Sequence, residues 1–192
     1  MKKLAVSVAA MAMFSTVAMA DDFDNTSVAV SAQGEKYGVE LSTNETTRSA
    51  KISVNSLPVD LAAKVIDLGS TMDYELSVGK KVTLPLGGAD LYVAPEAKFA
   101  FGDSYTDNQL TLTPKVGVTG GSTVKPYAEL GLNYSSTTAD ITDINRGTTF
   151  AKVGATMPLS TTVALDVNVT RNMTKDFDKV DNQAGVKLVV KF

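Results

Sequence analysis

From about residue 36 to residue 192, apolar side chains recur at every second position in short runs separated by Gly, Pro, Asn, Asp, Ser and Thr. A period of two is that of a β-strand with two unlike faces. The clearest runs are 72–84, 90–101, 109–118, 123–135, 149–157, 162–171 and 184–192, and 36–43 and 49–56 alternate as well. The links Pro85–Ala89, Thr119–Ser122 and Pro158–Thr161 are short, whereas Gly102–Asn108, Ser136–Thr148 and Asn172–Gln183 are longer and polar. This predicts a single all-β domain built as an antiparallel up-and-down meander, with tight turns at one end and longer loops at the other.

The two faces differ in kind. One carries positions such as Met72, Tyr74, Leu76 and Val78, then Leu91, Val93, Leu110, Leu112, Val116, Leu130, Val153 and Val167, and Lys80 is its one charge in the seven clearest strands. The other collects Glu75, Glu96, Lys98, Lys115, Glu129, Lys152, Asp166 and Lys187, together with Gly79, Gly117, Gly131, Gly154 and Gly185. A soluble sandwich or barrel would turn the apolar face inward. A transmembrane barrel would turn it to lipid and enclose the charges. Opposed Lys and Glu with many glycines suit a cramped polar lumen, and runs of 9–11 residues reach across a bilayer when tilted. The expected fold is therefore an antiparallel transmembrane β-barrel of eight to ten strands, ten being preferred because bacterial single-chain barrels have even counts. The tenth strand would be Ser27–Gln33 or Val59–Asp67, of which "VDLAAKVIDLG" also fits a helical stripe ending at Gly69. Pro95, Pro114 and Pro126 fall inside predicted strands and are expected at bulges or strand ends.

The N-terminus follows another pattern. Lys2 and Lys3 precede the uncharged stretch Leu4–Val17, and Ala18-Met19-Ala20 matches a signal-peptidase site, so residues 1–20 read as an export signal cut after Ala20. That leaves 21–192 as the barrel domain and changes the formal charge from -3 to -5 by loss of the two lysines. An acidic chain excludes a strongly basic nucleic-acid binder.

The last run, "AGVKLVVKF", places Val186, Leu188, Val190 and Phe192 at alternate positions. It resembles the terminal strand of bacterial outer-membrane β-barrels, the small OmpA/OmpX-type barrels as a class. The resemblance rests on pattern over most of residues 27–192. It implies that these four residues form the signal read by the barrel-assembly machinery and that the Sec-exported chain resides in the outer membrane among lipid and lipopolysaccharide; a monomer is the default expectation.

Outer-membrane barrel hydrolases and acyltransferases commonly use histidine as acid or base, and this chain has no histidine. No nucleophile elbow, phosphate-binding loop or zinc-ligand cluster occurs, so no catalytic residue, metal or cofactor is assigned. Loop acids Asp140, Asp143, Asp176, Asp178 and Asp181 lack the order of a calcium loop. The lumen charges, Glu75, Glu96, Glu129 and Asp166 against Lys98, Lys115, Lys152 and Lys187, are either a salt-bridged filling or the lining of a pore. The expected function is a non-enzymatic outer-membrane barrel with a structural or surface-interaction role. The alternatives are a narrow porin-like channel and a soluble periplasmic β-barrel that binds a small ligand.

Overall fold

The computed structural model describes residues 25–55, 58–137, 140–174 and 179–192, with side chains for all of these except 140–146 and 179–180. The expected cleavage residues Ala18 and Ala20 and the loop acids Asp140, Asp143, Asp176 and Asp178 lie outside the described backbone or side chains. The strands are β1 (Asn25–Gln33), β2 (Tyr37–Thr43), β3 (Arg48–Val54), β4 (Asp60–Asp67), β5 (Met72–Gly79), β6 (Val82–Pro85), β7 (Ala89–Val93), β8 (Glu96–Gly102), β9 (Gln109–Thr113), β10 (Lys115–Gly120), β11 (Lys125–Thr137), β12 (Asp140–Pro158), β13 (Val163–Thr174) and β14 (Lys179–Lys191). They form one sheet, which closes on itself through β11–β12 pairing.

Six of these segments are halves of three longer strands. β5 and β6 both run against the β7–β8 line, with Gly79 opposite Glu96 and Val82 opposite Val93. β7 and β8 in turn face β10 and β9, and those two face successive stretches of β11. The interruptions fall at Lys80-Lys81, Ala94-Pro95 and Pro114, side by side across three neighbouring strands. Proline cannot donate to a ladder, but its carbonyl still accepts. Lys80 N–H donates to Pro95 O at 3.2 Å, and Leu132 N–H donates to Pro114 O at 3.2 Å. The break also accounts for Lys80. Its ammonium lies 4.0 Å from the Asp60 carboxylate instead of continuing the apolar face.

Joining the halves gives a wall of eleven strands, so the expectation of eight or ten is corrected. Both candidates for the tenth strand are present, as β1 and β4. The helical alternative for 60–67 loses because pairing with β3 and β5 satisfies its backbone and alternates Leu61, Ala63 and Val65 onto the outside. An odd count forces the closing pair to be parallel, and β1 runs parallel to β14 from Asn25↔Gln183 to Gln33↔Lys191. It also puts the two ends of the wall at opposite rims. Phe192 sits beside the 34–36 turn, its N–H donating to Gln33 O at 3.1 Å, whereas Asn25 starts at the rim of the 44–47 turn. In membrane vesicles of one orientation, a protease-cleavable tag placed before Asn25 should therefore be cut from one side and a tag after Phe192 from the other. Cleavage of both from the same side would overturn the odd count.

The expected long loops are also corrected. Most of 136–148 and 172–183 continues β11, β12, β13 and β14, which are 13, 19, 12 and 13 residues long against 7 for β2 and β3. Polarity suggested loops, but threonine is β-branched and fits a strand whose two faces are both polar. The ladder absorbs the change with register shifts at Leu132/Tyr134 and Ser135/Thr137. This side of the wall thus stands taller than the β2–β3 side.

The described residues form no apolar core of ordinary size. Only Val28, Tyr92, Ala100, Ala164 and Leu188 are buried hydrophobics. The apolar face points out of the barrel instead. Leu41, Ile52, Leu76, Val116, Leu130 and Val153 are 57 %, 60 %, 50 %, 44 %, 56 % and 57 % exposed. Along β13, β14 and β1 the same face is more covered, with Leu188 buried, Val186 and Val190 half-buried and Phe192 80 % exposed. On β5 and β8 the outside carries Tyr74 stacked on Phe101 at 5.4 Å between centroids, with Phe99 tilted against Phe101 at 5.6 Å. Phe150 lies on the inner face with Lys152 and Gly154.

Candidate functional site

The strand period carries the charged face into the lumen. Glu75 on β5 accepts from Lys98 on the adjacent β8 at 3.0 Å and lies 3.8 Å from Lys64 on β4. Glu96 on β8 accepts from Lys115 at 2.6 Å. Lys187 on β14 pairs with Glu40 on β2, spanning the small residues Ala29 and Ser31 of the intervening β1. Charges enclosed by a wall need such partners to offset their lost hydration.

The other three expected lumen residues are held differently. Among the described residues, Glu129 takes no lysine. It accepts the hydroxyl proton of Tyr92 at 3.0 Å. Asp166 is satisfied three ways, by Tyr127 hydroxyl at 3.0 Å, Thr156 hydroxyl at 2.8 Å and Asn168 amide at 3.0 Å. Lys152 has no ion-pair partner among the described residues and lines the cavity. Tyr92, Tyr127 and Glu40 were missed by sequence reasoning. The signal was available, since Tyr92 is two residues from Asp90 and Tyr127 two from Lys125 and Glu129, all on one face.

The inner glycines make room for aromatic rings. Gly117 is the cross-strand partner of Tyr92, Gly154 of Tyr127 and Gly131 of Phe150. A Cβ built at these three glycines would lie 2.4 Å from the Tyr92 ring, 2.6 Å from the Tyr127 ring and 2.3 Å from the Phe150 ring. The far end of each ring therefore lies over its glycine, and the two tyrosines direct their hydroxyls at Glu129 and Asp166. The ammonium of Lys81 sits over the Tyr92 ring at 3.8 Å from its centroid, a cation–π contact.

At the rim of the 44–47 turn, the 103–108 loop folds back onto the wall. Asp73, 4 % exposed, accepts from Ser104 N–H at 3.1 Å and from the Ser104 hydroxyl. Asp103 accepts from Met72 N–H at 3.1 Å. Gly102, at φ 144°, permits the reversal, since a Cβ there would sit 2.5 Å from Met72 O. Burial holds the phenol of Tyr105 in this loop above its usual range, with Glu75 and Asp73 adding to the rise and Lys98 opposing it.

Three hollows of 720, 360 and 310 Å³ occupy the lumen. Glu129 lines all three, and its partner Tyr92 lines the first two. No group of three or more metal-ligating side chains occurs among the described residues, and no described helix is long and apolar enough to cross a membrane.

Fold and site together define a closed all-β barrel with an apolar exterior and a polar, partly hollow interior. No protein-family model, curated protein or solved structure matches the chain.

Proposed function

We propose that this protein is a non-enzymatic β-barrel of the bacterial outer membrane, exported through the Sec pathway with its signal removed, and a monomer. The observation that carries this reading is the direction of the two faces. Large apolar side chains from β2 round to β12 point away from the barrel, and the lysines and carboxylates point into it. A contiguous apolar exterior of this kind costs free energy in water and gains it in lipid. It argues against the soluble periplasmic barrel. Lipid and lipopolysaccharide would contact the apolar belt, and the barrel-assembly machinery would read Val186, Leu188, Val190 and Phe192.

Two roles fit that placement. One is the structural or surface-interaction barrel, with the tall β11–β14 side as the part presented beyond the membrane. The other is a narrow porin-like channel, and the three hollows that share Glu129 favour it, since a filled interior would leave no such space. Refolded into planar bilayers, the protein should give small discrete conductance steps that change when Glu129 is replaced by Gln. Correct insertion, seen as a gel shift between unboiled and boiled samples, together with a silent bilayer would return the function to the surface. Absence of the gel shift and recovery in a soluble periplasmic fraction would overturn both roles.

A further inference from the structure

We propose that the 720 Å³ hollow is a binding site for a small solute bearing phosphate or carboxylate oxyanions. This deepens the channel reading and rests on it only for how solute reaches the hollow. The hollow is lined by five lysines, Lys81, Lys125, Lys152, Lys187 and Lys191, and by three carboxylates, Glu40, Glu129 and Asp166. That surplus of two positive charges occurs in a chain whose formal net charge is -3, so it runs against the overall composition.

The carboxylates are also already engaged. Glu40 is committed to Lys187, Glu129 to the Tyr92 hydroxyl, and Asp166 to Tyr127, Thr156 and Asn168. Lys125, Lys152 and Lys191 have no such partner among the described residues, and Lys81 is held only over the Tyr92 ring. The wall thus offers unspent donors of one sign, while each of its carboxylates already holds at least one donor from within. An oxyanion accepts from ammonium groups and needs no donors of its own. A solute cation would meet carboxylates that already hold a donor each, Lys187 on Glu40, Tyr92 on Glu129 and three groups on Asp166. A low-dielectric wall strengthens the preference around the half-buried Lys152 and Lys187 by focusing their field into the hollow, while Lys81, Lys125 and Lys191 stand more exposed.

The test uses the full chain refolded in detergent micelles, with inorganic phosphate as probe and ³¹P line broadening as readout. Phosphate should bind, and Lys125→Gln with Lys152→Gln should weaken binding by about tenfold or more. Lys64→Gln, which removes a lysine outside this hollow, should leave binding unchanged. A second arm sets the protein in a planar bilayer under a potassium chloride gradient, where the reversal potential should show chloride preference and move toward potassium in Lys152→Glu. Folded barrel that leaves the phosphate line unchanged, or binds it equally with both lysines replaced, would overturn the site. Binding of short-chain phosphatidic acid without binding of inorganic phosphate would overturn it too, since the ligand would then be a lipid on the outer wall. An inserted but silent barrel overturns only the channel reading, and the micelle experiment still decides the site.

Discussion

Replacing Leu76 by arginine should lower folding free energy in a lipid bilayer by about 2–4 kcal/mol, the cost of a lipid-facing cation near the midplane of a barrel. Leu76 is 50 % exposed on the outer face and pairs with Ala63 in the middle of β4, far from either rim. Tyr37→Arg, beside the 34–36 turn, should cost about 0–1 kcal/mol by the same rule. The depth dependence is what makes the test decisive. On the surface of a soluble protein an exposed leucine is replaced by arginine within about 0.5 kcal/mol, wherever along the strand it lies. Unfolding by urea in vesicles measures both variants, with the shift read from the midpoint at unchanged slope. Equal, small effects at Leu76 and Tyr37 would sink the membrane reading.

The second large effect is expected inside the wall. Gly154→Ala and Gly117→Ala should each destabilise by about 1–3 kcal/mol, the usual cost of overpacking. At Gly154 the added carbon would meet not only the Tyr127 ring but also Val167 O at 2.6 Å, and at Gly117 also Ala128 O at 2.7 Å. A side chain can swing away and a ladder carbonyl cannot. Gly131 differs, because its close contacts are the Phe150 ring and, at 3.2 Å, the Lys115 side chain. In the Gly131→Ala background, Phe150→Ala should therefore restore most of the lost stability, whereas Tyr127→Ala should restore little in Gly154→Ala. Denaturant midpoints for the two pairs form double-mutant cycles. A neutral Gly154→Ala would show that the ring does not lie on its glycine.

Several features of this barrel were legible before any fold was known. The split between Leu76-type and Glu75-type positions is fixed by the pleat, because neighbouring residues must face opposite sides of the sheet. The partners within that split were less legible. Glu75–Lys98 and Glu96–Lys115 join adjacent strands, but Lys187–Glu40 crosses β1 and depends on how the sheet closes. Glu129 and Asp166 were set against lysines in the sequence reading, and tyrosines hold them in the structure. Residue type alone does not say which donor the register brings opposite. The polar stretches 136–148 and 172–183 misled for a similar reason. Hydropathy separates loop from strand only where one face is buried, and these strands have two polar faces.

By itself, then, the sequence determined that the chain is all-β and that each strand has one apolar and one charged side. Both are local consequences of alternation and need no partner strand. Only the tertiary structure decided that the apolar side faces outward, that the wall has eleven strands with a parallel seam, and that three hollows share Glu129. Those depend on sheet curvature, on the parity of the count and on which side chains meet across the lumen. All three are set by pairings between residues far apart in the chain, such as β1 with β14, which a period of two cannot encode.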